Sequence, residues 1–177
     1  MPYYSNPDSD TLALLRRVVE TYHGPLHSHQ VQFDVLVAWG NKDDDGEITS
    51  PAIRVHGYQA VAAVRVISLR DRAKGMGDAE ITIDGDHWDE YSEAERIAIL
   101  DHELEHLEPV VDDEGRLKRD DLERPRLRLR RHDHHFGWFD CVARRHGRAS
   151  LEVQQYERFT ASPAFQQKWL PGMEVEA

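Results

Sequence analysis

Hydrophobic positions recur along this chain in two periods, and these divide it into a short series of helices and strands. Leu12, Leu14, Leu15, Val18 and Val19 fall on one helical face, and Asp8 or Ser9 stands ahead of them as an N-cap, which predicts a helix over 10–22. Gly24-Pro25 ends it. Val31, Phe33, Val35 and Val37 then alternate with Gln32, Asp34 and Leu36, the period of a half-buried strand. Ile53, Val55, Val61, Val64, Val66, Ile67 and Leu69 predict one or two strands, or a short helix and a strand, within 52–69. After a turn at 75–78, residues 79–84 alternate again as a short strand, and an acidic, aromatic loop follows through Trp88 and Tyr91. Together these elements predict a chain of mixed helix and strand, with a flexible leader at 1–8, a single domain over 9–170 and a tail at 171–177.

The clearest helix start is Ser92, with Glu95 three residues on as a capping box. Ile97, Leu100, Leu104 and Leu107 form the stripe that turns to the core, and Pro109 stops the helix. Residues 110–129 are charged, with a turn at 113–115 and an alternating Arg126-Leu127-Arg128-Leu129-Arg130 segment. A second helix is predicted over 133–146, capped by Asp133, with Phe136, Phe139, Val142 and Ala143 inward and Gly147 as its terminator. Cys141 falls on its inner side, as inert core. A further helical stretch lies near 150–160.

Composition adds one oddity to this pattern. The 177 residues include eleven histidines, bunched at 102–106 and 132–135 and interleaved with apolar residues. Internal clusters of that kind point to metal chemistry. His102-Glu103-Leu104-Glu105-His106 supplies it: residues four apart on a helix share a face, so two imidazoles aim at one point, as a tetrahedral Zn²⁺ requires. Glu103 sits beside the first of them, where a carboxylate can take a proton from water and return it to a leaving amine. This is the H-E-x-x-H zincin arrangement, and it predicts a peptidase with Zn²⁺ as cofactor. The strand at 79–84 precedes the motif and suits an edge along which a peptide or protein substrate aligns.

Two histidines leave a third ligand to be found. Asp112 reaches the site only if the Pro109 turn swings it back; Glu152 or Glu157 would serve if a later helix supplies a glutamate. The histidine cluster at 132–135 is the stronger source. H-E-x-x-H followed about 25 residues later by His132-Asp133-x-x-Phe136 resembles the putative phage metallopeptidase family and, more loosely, the SprT-like zinc proteases. The resemblance spans residues 79–147. It implies a compact zincin-like α+β domain with a small mixed or antiparallel sheet, an active-site helix and a second helix that bears a ligand. It also implies His132 as the third ligand, with zinc between the two helices. His135, three residues later, is then the competitor for that role, or a donor that stabilises the transition state.

Charge narrows the partners. A net charge of −11 opposes broad nucleic-acid binding. The basic run at 116–131 offers a local nucleic-acid contact, but Asp120, Asp121 and Glu123 interrupt it, which favours a solvated face paired with the chain's own carboxylates. Asp43-Asp44-Asp45-Gly46 lacks the spaced ligands of a calcium loop and is expected to be a hairpin turn. No apolar run is long enough to cross a bilayer, the start is not a secretory signal, and the lone cysteine forms no internal disulfide. An intracellular, cytoplasmic location is expected, the host cytoplasm if the chain is phage-encoded. The rival readings are a catalytically silent zinc-fold binding module, associated with DNA as in SprT-like proteins, and a metal-dependent hydrolase of a non-peptide substrate.

Overall fold

The structure, a computed structural model, describes residues 3–132 and 140–161. It divides between Arg131 and His132 into two compact units. In the first, chain order is β1 (Tyr3–Ser5), α1 (Ser9–Tyr22), α2 (Gly24–Ser28) and β2 (Phe33–Trp39), then two hairpins, β3 (Asn41–Lys42) with β4 (Ile48–Ser50) and β5 (Arg54–Val55) with β6 (Tyr58–Gln59). β7 (Ala62–Val66), α3 (Leu69–Arg72), β8 (Ala79–Asp84), α4 (Glu93–Glu105), β9 (Leu107–Pro109) and β10 (Leu127–Leu129) complete it. The architecture is α+β.

Four strands form one mixed sheet in the order β1-β2-β8-β7. β2 runs parallel to β8, with Phe33 opposite Ala79 and Ala38 opposite Asp84; β1 on β2 and β7 on β8 are antiparallel. Residues 79–84, expected at the edge, are therefore interior, and among the described residues the free edge on this side is β7. Burial explains the difference. Ala79, Ile81 and Ile83 are wholly buried, and Glu80 and Asp84 nearly so, which a strand with one unpaired, hydrated side would not allow. At the opposite edge, Tyr3–Ser5 pairs with β2. Tyr3 stacks on Trp39 with ring centroids 5.8 Å apart, and the Trp39 indole donates to Ser5 Oγ at 3.0 Å.

The helices cover the sheet through a shared core. Leu15 and Val18 of α1 meet Leu100 and Leu104 of α4, with Val35, Ile81 and Ile83 beneath, each such side chain contributing about 1.5–3 kcal/mol by leaving water. Asp8 caps α1 by accepting the Thr11 N–H at 2.6 Å, and Thr11 Oγ1 in turn accepts the Trp88 indole N–H at 3.0 Å, within the core. The acidic loop at 43–47 closes the β3–β4 hairpin, with Asp43 Oδ1 accepting the Asp45 and Glu47 N–H groups at 3.1 and 2.9 Å. His56 and Gly57, both at positive φ, form the tight turn between β5 and β6.

The second unit holds α5 (Asp140–His146), a 3₁₀ turn at Gly147–Ala149 and α6 (Leu151–Thr160). Gly147, at φ +51°, ends α5 at the predicted residue. Ser150 caps α6 by accepting the Val153 N–H at 3.3 Å. Cys141 is exposed, not on an inner face, whereas Val142 and Ala143 are half-buried. Asp133, Phe136, Phe139 and the tail at 171–177 lie outside the described residues. Among the described residues, no helix is long and apolar enough to cross a membrane.

Candidate metal centre

Local interactions set the helix that carries the motif. Ser92 Oγ accepts the Glu95 N–H and the Glu95 carboxylate accepts the Ser92 N–H at 2.8 Å, so the capping box closes at the start of α4. Leu100 and Leu104 then lock one face into the core. That rotation leaves His102 exposed and His106 half-buried on an adjoining face, one turn apart. Their rings meet edge to face with centroids 5.1 Å apart, and a ring nitrogen of each lies within 4.8 Å of the other. This is a histidine-rich group suited to a metal.

His106 is oriented by a strand outside the motif. Its Nδ1 stands 2.8 Å from the Arg130 carbonyl, which can only accept, so Nδ1 carries the proton and the lone pair falls on Nε2, the atom a metal takes. The Arg130 N–H donates to the His106 carbonyl at 2.7 Å. β9 and β10, paired with Leu127 opposite Pro109 and Leu129 opposite Leu107, bring Arg130 back to the end of α4. No pattern of side chains announces such a contact, because its acceptor is backbone.

Glu103 lies between the two histidines in sequence and is 7% exposed. Burial raises its pKa from the usual carboxylate value, against the opposing pull of the nearby His106 and the backbone N–H of Val64. Val64 is on β7. Hydrogen bonds from Ile67 to Asp78 and from Asp84 to Val61 set the ladder so that Ala62, Val64 and Val66 point their backbone groups away from β8, along the free edge. The carboxylate and the open strand edge thus occupy one place. A carboxylate buried there, with its proton affinity increased, is equipped to accept a proton from water at neutral pH.

The other predicted residues divide clearly. Asp112 is committed to its own turn: Oδ1 accepts the Glu114 and Arg116 N–H groups at 2.9 Å each, and Oδ2 pairs with the Arg116 side chain. Glu157 pairs with Arg148 at 2.8 Å within the second unit. His132 is the first residue of that unit, exposed and outside any helix or strand. His134 and His135 lie outside the described residues, and so does the side chain of Glu152. In the basic run, Arg116, Arg128 and Arg130 pair with Asp112, Glu108 and Glu105 near the surface, whereas Arg124 turns inward to the buried Asp78.

A family model described as putative phage metallopeptidase matches residues 3–161. No curated protein and no solved structure matches the chain.

Proposed function

The chain belongs to the putative phage metallopeptidase family, whose description is that of a metal-dependent peptidase, and from that premise we propose that it is a zinc peptidase in which Glu103 activates the attacking water. One observation carries the reading: a buried carboxylate, with no arginine or lysine partner among the described residues, is flanked in sequence by two helix-borne imidazoles, lies near His106 and sits against the backbone of β7. His102, His106 and His132 are the zinc ligands. The donor set fits the metal, since His106 holds its proton on Nδ1 and imidazole nitrogens suit Zn²⁺. His132 is favoured by chain connectivity: Arg130 is hydrogen-bonded to His106 through its backbone, and two residues span only about 7 Å.

When bound, zinc lowers the pKa of a water and polarises the scissile carbonyl. The protein does the rest. A peptide or protein substrate pairs with the outward backbone groups of Ala62 and Val66 and with the Val64 carbonyl as an added strand, the Val64 N–H being held by Glu103. Glu103 takes the proton of the attacking water and delivers it to the leaving amine. His135 donates to the oxygen on which charge develops.

The test joins metal analysis with a peptide-library digest. The native protein is expected to hold one zinc and to cleave; Glu103→Gln should keep the zinc and lose turnover. His132→Ala should lose zinc, whereas His135→Ala should bind it and at most slow the reaction. Zinc uptake without cleavage by the native protein would leave the silent binding module, and absence of zinc uptake would overturn the peptidase reading. Retained zinc in His132→Ala, with loss in His135→Ala, Glu152→Ala or Glu157→Ala, would reassign the third ligand alone.

A further inference from the structure

The sequence around the motif contains a second pair with the same spacing. Asp101 and Glu105 each precede one of the motif's histidines by one residue, so α4 carries two i,i+4 pairs on neighbouring faces, about 100° apart around the axis. His23 completes this second face from another element. It is the junction residue between α1 and α2: its N–H donates to Val19 at 3.1 Å and its carbonyl accepts from His27 at 2.9 Å, which fixes its main chain on both sides. The imidazole is 6% exposed, and Nε2 lies 2.7 Å from Asp101 Oδ1.

One nitrogen of His23 and one oxygen each of Asp101 and Glu105 lie within 4.8 Å of one another. Ligands held about 2.1 Å from a small divalent cation stand roughly 3–3.5 Å apart, so small side-chain shifts bring all three into one shell. Two carboxylates drawn together on a helix face also call for positive charge. Arg130 supplies some of it to Glu105 Oε2, at 2.7 Å, from a side chain that is one-third exposed. The group contrasts with an ordinary acidic patch in having a buried imidazole, fixed by its backbone, aimed into it.

We propose that His23, Asp101 and Glu105 form a second divalent-cation site, separate from the His102/His106 pair. One imidazole and two carboxylates suit an ion that accepts mixed nitrogen and oxygen ligands, such as Zn²⁺ or the more oxygen-seeking Mn²⁺, better than Mg²⁺ or Ca²⁺, which take oxygen shells. In the competing arrangement the His23–Asp101 hydrogen bond only ties the end of α1 to α4, and no cation binds.

The full chain, first given one equivalent of zinc, is titrated with Mn²⁺ while the free-Mn²⁺ paramagnetic resonance signal is followed. One further equivalent is expected to bind. Glu105→Gln, at a largely exposed side chain, and Asp101→Asn should each weaken Mn²⁺ affinity by on the order of tenfold or more, since losing a ligand costs at least as much as losing an outer partner. Their circular dichroism should match the native chain. His102→Ala should lose the zinc and keep the Mn²⁺ site. No Mn²⁺ uptake by the zinc-loaded chain, or native uptake in either carboxamide variant, would overturn the proposal. Zinc content and peptide cleavage, measured on the same native samples, report separately on the peptidase reading.

Discussion

Asp78 and Glu103 are both buried acids of the first unit, but the chain treats their charges in opposite ways. Asp78 accepts the Gln32 N–H at 2.8 Å and faces two guanidinium groups, Arg72 at 3.3 Å and, as an ion pair outside hydrogen-bonding geometry, Arg124 at 2.9 Å. Arg72 is itself buried and donates to the carbonyls of Ile67, Asp78 and Pro125 and to Asp120. That network ties the end of β8 to the segment between β9 and β10. Among the described residues, Glu103 has no arginine or lysine partner, and its pKa rises because burial is not offset. A buried charge met by guanidinium groups holds elements together, whereas one left without an arginine or lysine countercharge keeps a raised proton affinity.

The sharpest break in this contrast is catalytic. Glu103→Gln is expected to lower turnover about 10²–10⁴-fold with zinc retained, the usual share of a general base. Near-native cleavage by this variant would remove Glu103 from its role. Next in size, Arg72→Met should cost roughly 3–5 kcal/mol in urea unfolding, because it strands Asp78 and Asp120 against the loss of one buried cation. A cost below about 1 kcal/mol would mean that Arg124 alone suffices to hold Asp78.

A smaller effect follows from Glu103 in the metal-free protein. Its folded pKa lies above its unfolded value, so the fold favours the protonated form; that contribution is present below the ordinary glutamate range and is lost as pH rises through the folded value. Metal-free Glu103→Gln, which cannot ionise, should therefore melt above the native chain at neutral pH, and the gap should close on acidification. Melting curves across that range check the sign. The smallest change is expected from Arg128→Ala. Its pair with Glu108 is solvent-exposed, so stability should move by less than about 1 kcal/mol and short-peptide cleavage should not change. A salt-sensitive DNA affinity lost on this substitution would revive a nucleic-acid role for the 116–131 segment.

What the sequence determined by itself was local. The capping box, the Leu100/Leu104 stripe and the i,i+4 histidines of α4 are set by residues within a turn or two of one another, and so are the Asp8 cap and the β3–β4 turn. Periodicity states which side chains of an element are buried, but not which element covers them. Only the tertiary structure put β8 inside the sheet and β7 at its edge, added Tyr3–Ser5 as a strand and exposed Cys141. It also decided the chemistry of the centre. Glu103 gains its proton affinity from burial, and His106 its tautomer from the carbonyl of Arg130, 24 residues further along. Neither effect is encoded by nearby residue types, because desolvation and backbone acceptors arise only when distant segments close around the site.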